Sequence, residues 1–408
     1  MIENELKHIF LNKRDIFLWI IFACFFLIFN PYLAIFLSAL LSTNRLQNNR
    51  YVFLVGILAL SLFFYFRVYG VSWAEGSEDD VLRYVYIYEK LSLSNFSEVF
   101  TNFINYPGQN EPVWSYFWWL VSGMGITGFS FILLHYILNF TVLVLTFYIL
   151  SKKNYLGALF YYLFISLNSI EIIGFLWRQQ IAICIFIIGI HFFYNNRKKF
   201  GFLLILISPL IHLPSIIFTL LFIEYILFFY FQDSEKIINK IKLNVFNLIL
   251  LIILFEFGFY LLTNSGLKSL AYDSENNAPI TLKTTLSLTS YYIFFFYFYY
   301  SSKFNKFNIF ISFILISIIP IFIIEPYKST LFSRYQSYIY AFAAIFISVL
   351  LSKQKIIHQY SLMVIVFLFG IIRYYYQSNM GIGVFQYLAY GQSFDPFMGI
   401  LKMLFLFL

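Results

Sequence analysis

Residues 200–231 read FGFLLILISPLIHLPSIIFTLLFIEYILFFYF, an apolar run that Pro209 and Pro214 interrupt near its middle. Basic residues flank this run on both sides: Arg197, Lys198 and Lys199 before it, and Lys236, Lys240 and Lys242 after it. Because basic loops remain in the cytoplasm, the run must enter the membrane and return, and the two prolines supply the break. His212 then lies at the tip of a broken helix pair, inside the membrane thickness. Non-helical backbone at that depth needs protein or a water-filled cavity around it, so the sequence predicts His212 in an outward-facing cavity.

Similar apolar runs extend over the rest of the chain. Of its 408 residues, 61% are hydrophobic and 11% are charged, whereas soluble domains are roughly a quarter charged. The predicted membrane segments cover residues 16–42, 51–69, 126–150, 155–176, 178–194, 200–211, 214–231, 243–263, 285–301, 308–324, 335–351, 358–376 and 397–408. Because a helix needs about 20 apolar residues to cross a bilayer, we expect an all-α, polytopic integral membrane protein with about 11–13 transmembrane or re-entrant helices. Residues 1–408 are expected to form a single membrane domain.

The first segment, 16–42, leaves the orientation of the N-terminus open. It contains Pro31 and fits either one tilted, kinked helix or a shallow hairpin. Helix length favours a single crossing, whereas Lys7, Lys13 and Arg14 favour a cytoplasmic N-terminus. Since no small-residue cleavage site accompanies the run, we expect a retained anchor and not a signal peptide.

The distribution of charge orients the predicted helices. The loops that we assign to the cytoplasm hold 14 of the 27 basic residues: Arg45, Arg50, Lys152, Lys153, Arg197, Lys198, Lys199, Lys236, Lys240, Lys242, Lys303, Lys306, Lys353 and Lys355. The alternate segments hold most of the carboxylates; they cover 70–125, the turn around Arg178, 264–284, 325–334 and 377–396. The net charge of +8 therefore follows the positive-inside rule and does not predict a nucleic-acid partner. We expect the functional face to be the outer one.

Several kinds of active site find no support in the sequence. It contains no Gly-rich phosphate loop, no HExxH and no GxSxG, and Cys24 and Cys184 lie inside apolar runs without metal-ligand spacing. The predicted cytoplasmic loops are too short for a nucleotide-binding domain. We therefore expect no cofactor and no metal, and a substrate that is already activated on a lipid.

The long outer loop, 70–125, contains two candidate helices. In the first, Tyr84, Ile87, Tyr88 and Leu91 share one face at helical spacing, which predicts an amphipathic helix lying on the membrane. Asp79 and Asp80 precede it, either as a helix cap or as a binding site for sugar hydroxyls. Glu111, in NEPVWSYFWW, precedes a half-helix whose tryptophans are expected in the interfacial belt. Glu111 is a candidate helix cap as well as a candidate site residue.

Four cationic or titratable residues lie near the predicted outer ends of apolar helices. Arg178 in GFLWRQQ and Arg334 in LFSRYQSY each begin a helix that descends from the outer face, where backbone N–H groups favour an anion. His212 has a side chain suited to proton transfer near neutral pH. Snorkelling of the arginines and simple packing of the histidine are the alternatives. For Arg373, the anchoring role and the functional role are evenly balanced.

Several of these blocks resemble the Wzy-type O-antigen and capsule polymerases, and in particular their EpsG-like members. The stretch SEDDVLRYVYIY followed by NEPVW is similar to the outer loop of these polymerases. GFLWRQQIAICIFIIG matches their arginine-then-glycine pattern, with ten residues between Arg178 and Gly189. His212 follows as their motif histidine does, although Leu220 stands where the family carries a serine and Ser215 is near. SRYQSY and FDPF also resemble family blocks, and the resemblance spans most of residues 70–400.

The resemblance implies glycosyl transfer at the periplasmic face of the bacterial inner membrane. The donor would be a growing chain on undecaprenyl diphosphate, and the acceptor a single lipid-linked repeat unit. A chain-length regulator protein is a further candidate partner, besides membrane lipid. The implied roles are proton acceptor for His212, with Glu111 as second choice; diphosphate binding for Arg178, Arg334 and Arg373; and sugar binding for Asp79, Asp80, Arg83 and Gln179.

Three other functions remain open from the sequence. An O-antigen ligase would use the same arginines and histidine and differ in its acceptor. A lipid-linked oligosaccharide flippase would carry cations through both leaflets, whereas here they collect on one side. A membrane acyltransferase would need a paired His-Asp or Asn-His motif, which the chain lacks.

Overall fold

The computed structural model describes residues 57–58, 61, 80–99, 111–126, 128–165, 172–174, 176–231, 237–264, 282–300, 306–324 and 329–379. Within these ranges the secondary structure is helical and contains no β-strand. The α-helices are α1 (Asp80–Ser92), α2 (Pro112–Ser122), α3 (Gly128–Ser151), α4 (Tyr155–Ile165), α5 (Trp177–Tyr194), α6 (Lys198–Ile211), α7 (Ile216–Phe231), α8 (Ile237–Asn264), α9 (Leu282–Tyr300), α10 (Lys306–Ile324), α11 (Ser329–Leu351) and α12 (Ile356–Asn379).

The helices have the composition of membrane-crossing elements. In the described part of the chain, Ser130–Ser151 and Trp177–Tyr194 are long and apolar enough to cross a membrane. Shorter apolar helices lie at Tyr155–Ile165, Leu213–Phe228, Lys306–Phe322, Tyr335–Leu351 and Ile356–Gly370. The prediction of an all-α membrane protein is therefore confirmed.

The predicted segments between 126 and 376 coincide with helices wherever the structure describes them. The segment predicted at 155–176 is a helix as far as Ile165, and Ile172, Ile173 and Gly174 are helical again. Segments 16–42 and 397–408, and all of 51–69 except residues 57, 58 and 61, lie outside the described residues.

The predicted start of the membrane segment 243–263 is wrong, because the helix begins at Ile237. Lys240, which we assigned to a cytoplasmic loop, lies inside α8 and is buried, with Nζ donating to the carbonyl of Tyr299 at 3.0 Å. Tyr299 belongs to the last turn of α9, where carbonyl groups lack helical partners and the helix dipole favours a cation. Lys240 therefore connects α8 to α9 through this hydrogen bond and does not mark a helix end.

The chain divides into two compact units. The first comprises Met1–Ile87, Ile126–Phe175 and Ser348–Leu408, and the second comprises Tyr88–Gly125 and Leu176–Ile347. The single membrane domain expected from the sequence is not tested by this division and stays a prediction.

In the first unit, α4 packs against both α3 and α12. Tyr161 Oη on α4 donates to the carbonyl of Gln359 on α12 at 3.0 Å. Gly370 of α12 lies against the Phe164 ring, so closely that a Cβ there would approach a ring carbon to 2.6 Å. Small residues permit such close helix approach in a membrane, where apolar burial does not itself drive association.

In the second unit, the closest helix pair is α5 with α6. Gly189 of α5 and Gly201 of α6 face each other: a Cβ on Gly189 would lie 2.9 Å from the Gly201 carbonyl oxygen. The two backbones approach this closely because neither residue carries a side chain. Gly189 thus has a packing role, and it fixes α5, which begins near Arg178, against α6, which ends at His212.

The helices α6 and α7 form the broken pair predicted for 200–231. Helix α6 ends at Ile211, His212 is extended (φ −147°, ψ 106°), and a 3-10 turn, Leu213–Ser215, leads into α7. Residues at similar distances before and after His212 along the chain contact each other. Ser208 Oγ lies 2.9 Å from Ser215 Oγ, and Thr219 Oγ1 donates to the Ile205 carbonyl at 3.2 Å. The arms are therefore antiparallel neighbours, as expected for a segment that enters a membrane and returns.

The apolar face of α1, a helix in the predicted outer loop, differs from the prediction. Tyr84, Ile87, Tyr88 and Leu91 do share a face, but all four are buried within the protein and so do not lie on a membrane surface. In the second unit, Tyr88 packs edge-on against Trp118 of α2, with ring centroids 6.3 Å apart. Burial raises the pKa of Tyr88, which packs as a neutral phenol.

The tryptophans of α2 also differ from the prediction of an interfacial belt. Trp114 and Trp118 are buried, and Trp119 Nε1 donates to the Ser94 carbonyl at 2.8 Å. Helix α2 packs against α6 in the second unit. The predicted outer loop therefore contributes a packed helix, α2, whose first residue, Pro112, directly follows Glu111.

Candidate functional site

Glu111 occupies the N-cap position of α2 without capping it. Its side chain makes no cap hydrogen bond, and Pro112 at the first helical position has no N–H to be satisfied. The carboxylate is 6% exposed, and its Oε1 accepts the backbone N–H of Leu213 at 3.3 Å. The capping alternative is therefore wrong, because the carboxylate points away from its own helix toward the break between α6 and α7.

Arg178 makes a buried ion pair with Glu111. Its Nη1 donates to Oε2 of the carboxylate, across 67 residues of sequence, and its side chain is 7% exposed. A snorkelling arginine would extend its guanidinium to the membrane surface. Arg178 instead lies in the protein interior, in the first turn of α5, and meets a counter-charge there. The ion pair stabilises both groups in their charged forms.

His212 lies beside this ion pair. Its Nδ1 is hydrogen-bonded to Tyr338 Oη of α11, and its Nε2 is 4.0 Å from Glu111 Oε1. The side chain is 16% exposed, so it is more accessible than either charged partner. The extended backbone of His212 projects the ring from the helix break, as predicted from the two flanking prolines.

Glu111, Arg178 and His212 thus form one cluster in the second unit. Each was singled out from a different part of the sequence. In the structure, Arg178 and His212 both lie within ion-pair distance of the Glu111 carboxylate, which also accepts the N–H of the residue after His212. Low-dielectric surroundings strengthen charge interactions, and a buried charge without a partner would be costly. The cluster combines a fixed cation, a fixed anion and a titratable imidazole, which are the parts needed to transfer a proton and stabilise a developing negative charge.

The polar residues around the cluster have distinct surroundings. Gln179 is 5% exposed, and among the described residues its Nε2 has no hydrogen-bond partner. Gln180 instead donates to Cys184 Sγ at 3.1 Å within α5. Ser215 Oγ lies 2.9 Å from the His212 carbonyl oxygen, so it stabilises the helix break. Leu220, at the position where similar polymerases carry a serine, is 46% exposed.

The remaining predicted site residues lie outside what can be described in atomic detail. Arg334 belongs to α11, Arg373 to α12, and Asp80 and Arg83 to α1, but their side chains are outside the described part, as is the whole of Asp79. Arg334 precedes Tyr338 by four residues in α11. Residues with this spacing share a helix face, so the backbone places Arg334 on the face from which Tyr338 reaches His212.

Two residues of interest were missed from the sequence. Tyr338 is the last residue of the quoted block SRYQSY, but it is one of 34 tyrosines in the chain and carried no distinguishing signal. Glu224 is a carboxylate within the apolar helix α7, a position that by itself indicates a functional or paired group. When the Asn247 amide of α8 is oriented with its nitrogen toward Glu224, it donates to this carboxylate. Glu224 borders an apolar groove of about 550 Å³ between α7 and α8.

A metal site was not expected. Within the described ranges, no group of three or more His, Cys, Asp or Glu side chains lies close enough to hold a metal ion. That expectation, together with the absence of a cofactor, stays a prediction for the chain as a whole.

The fold and the cluster define a polytopic membrane protein with a buried charged site at the break of a helix pair. A model of the EpsG family matches residues 57–390 of the chain. The chain therefore belongs to the EpsG family, which is related to the Wzy-type polysaccharide polymerases. No curated protein and no solved structure gives a significant match.

Proposed function

We propose that the protein joins lipid-linked oligosaccharide repeat units into O-antigen or capsule polysaccharide. The reaction is glycosyl transfer at the periplasmic face of the bacterial inner membrane. The donor is the growing chain on undecaprenyl diphosphate, and the acceptor is a single repeat unit on the same carrier. Family membership supports the polymerase class, and the excess of basic residues in alternate loops supports the outward orientation.

The observation that carries the proposal is the cluster of Glu111, Arg178 and His212. These residues have no need to meet for folding alone, because an apolar contact at this position would avoid the cost of burying charge. Their convergence at a helix break, with His212 the most exposed of the three, is typical of a reaction site.

The proposed step uses each of the three groups. The acceptor hydroxyl gives its proton to Nε2 of His212, while its oxygen forms a bond to the anomeric carbon of the donor. The bond from that carbon to the diphosphate oxygen breaks, and the electron pair leaves with the diphosphate. Arg178, together with Arg334, stabilises the negative charge that develops on this leaving group, and Arg373 is retained as a candidate diphosphate contact. Glu111 fixes the guanidinium of Arg178 through their ion pair.

Glu111 is the weaker candidate for the proton acceptor. It already accepts hydrogen bonds from Arg178 and from the Leu213 N–H, and both stabilise the ionised carboxylate. His212 contacts a neutral phenol and has a greater exposed fraction. The geometry therefore favours the first choice made from the sequence. Asp79, Asp80, Arg83 and Gln179 are retained as candidate sugar contacts.

The test replaces the arginines by lysine. Arg178→Lys and Arg334→Lys keep the positive charge but lose the planar fork that grips two phosphate oxygens. Losing one such partner of a developing anion costs about 3 kcal/mol, or roughly a hundredfold in rate. Cells carrying either variant should accumulate single repeat units without long chains, as measured by gel electrophoresis of the extracted polysaccharide.

Arg197→Lys is the matched control, because Arg197 is exposed at the start of α6, on the predicted cytoplasmic side. It should leave chain length unchanged, and all variants must reach the membrane in normal amounts. Polymer of normal length and amount in both Arg178→Lys and Arg334→Lys would show that these arginines are structural anchors and that the mechanism is wrong.

A further inference from the structure

Tyr338 is held in one position by a buried aromatic cluster. It has no exposed surface, and the rings of Phe218, Tyr335 and Phe342 surround it with centroid distances of 4.8, 6.3 and 6.3 Å. A buried phenol oxygen needs a hydrogen-bond partner. Its partner is Nδ1 of His212, at 2.5 Å. The packing of the Tyr338 ring therefore fixes the position of Oη, and the hydrogen bond between Oη and Nδ1 fixes the position of the imidazole.

The backbone of His212 is fixed as well. Its N–H donates to the Ser208 carbonyl at 3.1 Å, and its carbonyl accepts the N–H of Ser215 at 3.0 Å. The imidazole and phenol rings are stacked at 22° with centroids 5.8 Å apart. With the backbone and Nδ1 both held, the imidazole presents Nε2 toward the Glu111 side of the cluster, 4.0 Å from Oε1.

We propose that Tyr338 is a positioning residue for His212, and that it holds the imidazole with Nε2 directed at the acceptor sugar. Because the proposed reaction delivers the proton to Nε2, Nε2 needs a free lone pair, and the hydrogen of the neutral imidazole is then on Nδ1, which donates it to Tyr338 Oη. The inference rests on the proposed function, since it assigns the direction of a proton transfer in that reaction. Tyr338 itself does not touch the reacting atoms.

The same hydrogen bond assists the reaction after the proton has moved. When Nε2 takes the proton, the imidazole becomes an imidazolium, and the Nδ1–H···Oη bond then has a charged donor, which makes it stronger. Glu111, 4.0 Å from Nε2, and its partner Arg178 are the charged groups that the described structure places next to this site. A partner behind a reacting histidine typically changes activity by about 10- to 100-fold in comparable arrangements at metal sites.

The test is Tyr338→Phe, which keeps the ring packing and removes only the oxygen. The assay follows the first coupling step in proteoliposomes. Its substrate is the lipid-linked repeat unit extracted from cells that lack this chain. We expect kcat to fall about tenfold with KM unchanged. We also expect the acidic limb of the pH–rate profile to move to lower pH, because the imidazolium loses a hydrogen-bond acceptor that stabilises it.

Tyr340→Phe is the matched control: Tyr340 lies on the same helix, and its Oη accepts a hydrogen bond from Gln336 at 3.3 Å. It should leave both the rate and the pH profile unchanged. If Tyr338→Phe only lowers the amount of folded protein, while the surviving enzyme has normal kcat and an unmoved pH profile, the positioning role is overturned.

The His212→Gln variant separates this inference from the proposed function. If His212→Gln abolishes coupling and Tyr338→Phe matches the native enzyme, the function stands and the role of Tyr338 is refuted. If His212→Gln couples at the native rate, His212 is not the proton acceptor, and the assignment of Tyr338 is refuted together with that part of the mechanism.

Discussion

At the scale of single residues, the ion pair between Glu111 and Arg178 shows why local patterns leave roles open. Asp or Glu before a proline-initiated helix predicts a cap, and Arg at a helix start near the membrane surface predicts snorkelling. The structure satisfies neither pattern, because the two side chains meet across 67 residues of sequence. Each charge stabilises the other in the interior, where an uncompensated charge would be costly.

This dependence leads to a prediction for Glu111→Gln. Removing the carboxylate charge takes the counter-charge of Glu111 away from the buried Arg178 guanidinium, and breaking such a pair costs about 3–5 kcal/mol. We expect a clear drop in the thermal unfolding midpoint in detergent, together with loss of polymer. Glu89→Gln, at an exposed position on α1, is the control and should leave both unchanged.

The double variant Glu111→Gln, Arg178→Gln extends the test. It should regain much of the lost stability while remaining inactive, since no unpaired charge is left but the anion-binding group is gone. An unchanged midpoint for Glu111→Gln alone would contradict a structural dependence of Arg178 on this carboxylate.

At the scale of elements, the crossing of α5 and α6 determines the geometry of the cluster. Arg178 lies in the first turn of α5, and His212 directly follows α6. The distance between these two helix ends depends on how closely the helices pack, and Gly189 and Gly201 set that closeness. The sequence pattern that pairs Arg178 with Gly189 therefore has a physical explanation: the glycine sets the distance between the helices, and in the proposed function the arginine binds the diphosphate.

Gly201→Ala should separate the two helices. Its Cβ would collide with the backbone of Phe193 and with the carbonyl of Gly189, and backbone atoms cannot move aside as a flexible side chain can. We expect a lower thermal unfolding midpoint, measured on the purified protein, and less polymer, measured in cells that carry the variant. Gly123→Ala is the control, because its nearest neighbour atom would lie at an ordinary 3.4 Å. Equal midpoints for the two variants would refute the close-packing role.

At the scale of the whole molecule, the prediction that concerns function most is the orientation in the membrane. The basic residues concentrate in alternate loops, and the site residues lie near the opposite ends of the helices. A lipid-linked donor presented at the periplasmic leaflet can reach the cluster only if that end faces outward. The proposed mechanism therefore requires the predicted orientation, and the opposite orientation would contradict it.

Cysteine labelling tests this orientation. In a chain whose Cys24 and Cys184 are replaced by alanine, single cysteines at Lys198 and Asn276 should react from opposite sides of the membrane with an impermeant maleimide. Lys198 is exposed at the start of α6, and Asn276 lies in the predicted outer loop 264–284. Asn276 should label in intact cells, and Lys198 only after the membrane is opened. Labelling of both positions in intact cells would refute the topology.

The sequence by itself determined the helical class, the position of most helices and the break at His212, because these depend on local composition. Apolar length decides whether a segment crosses a membrane, and two prolines are enough to interrupt a helix. It also singled out Arg178 and His212, since polar groups at membrane depth are costly and few, and Glu111, because it directly precedes the predicted half-helix of the outer loop. Only the tertiary structure decided that these residues meet and that Tyr338 is hydrogen-bonded to His212. The physical reason is that such contacts join helices distant in sequence, and their geometry depends on helix packing, which no local pattern contains.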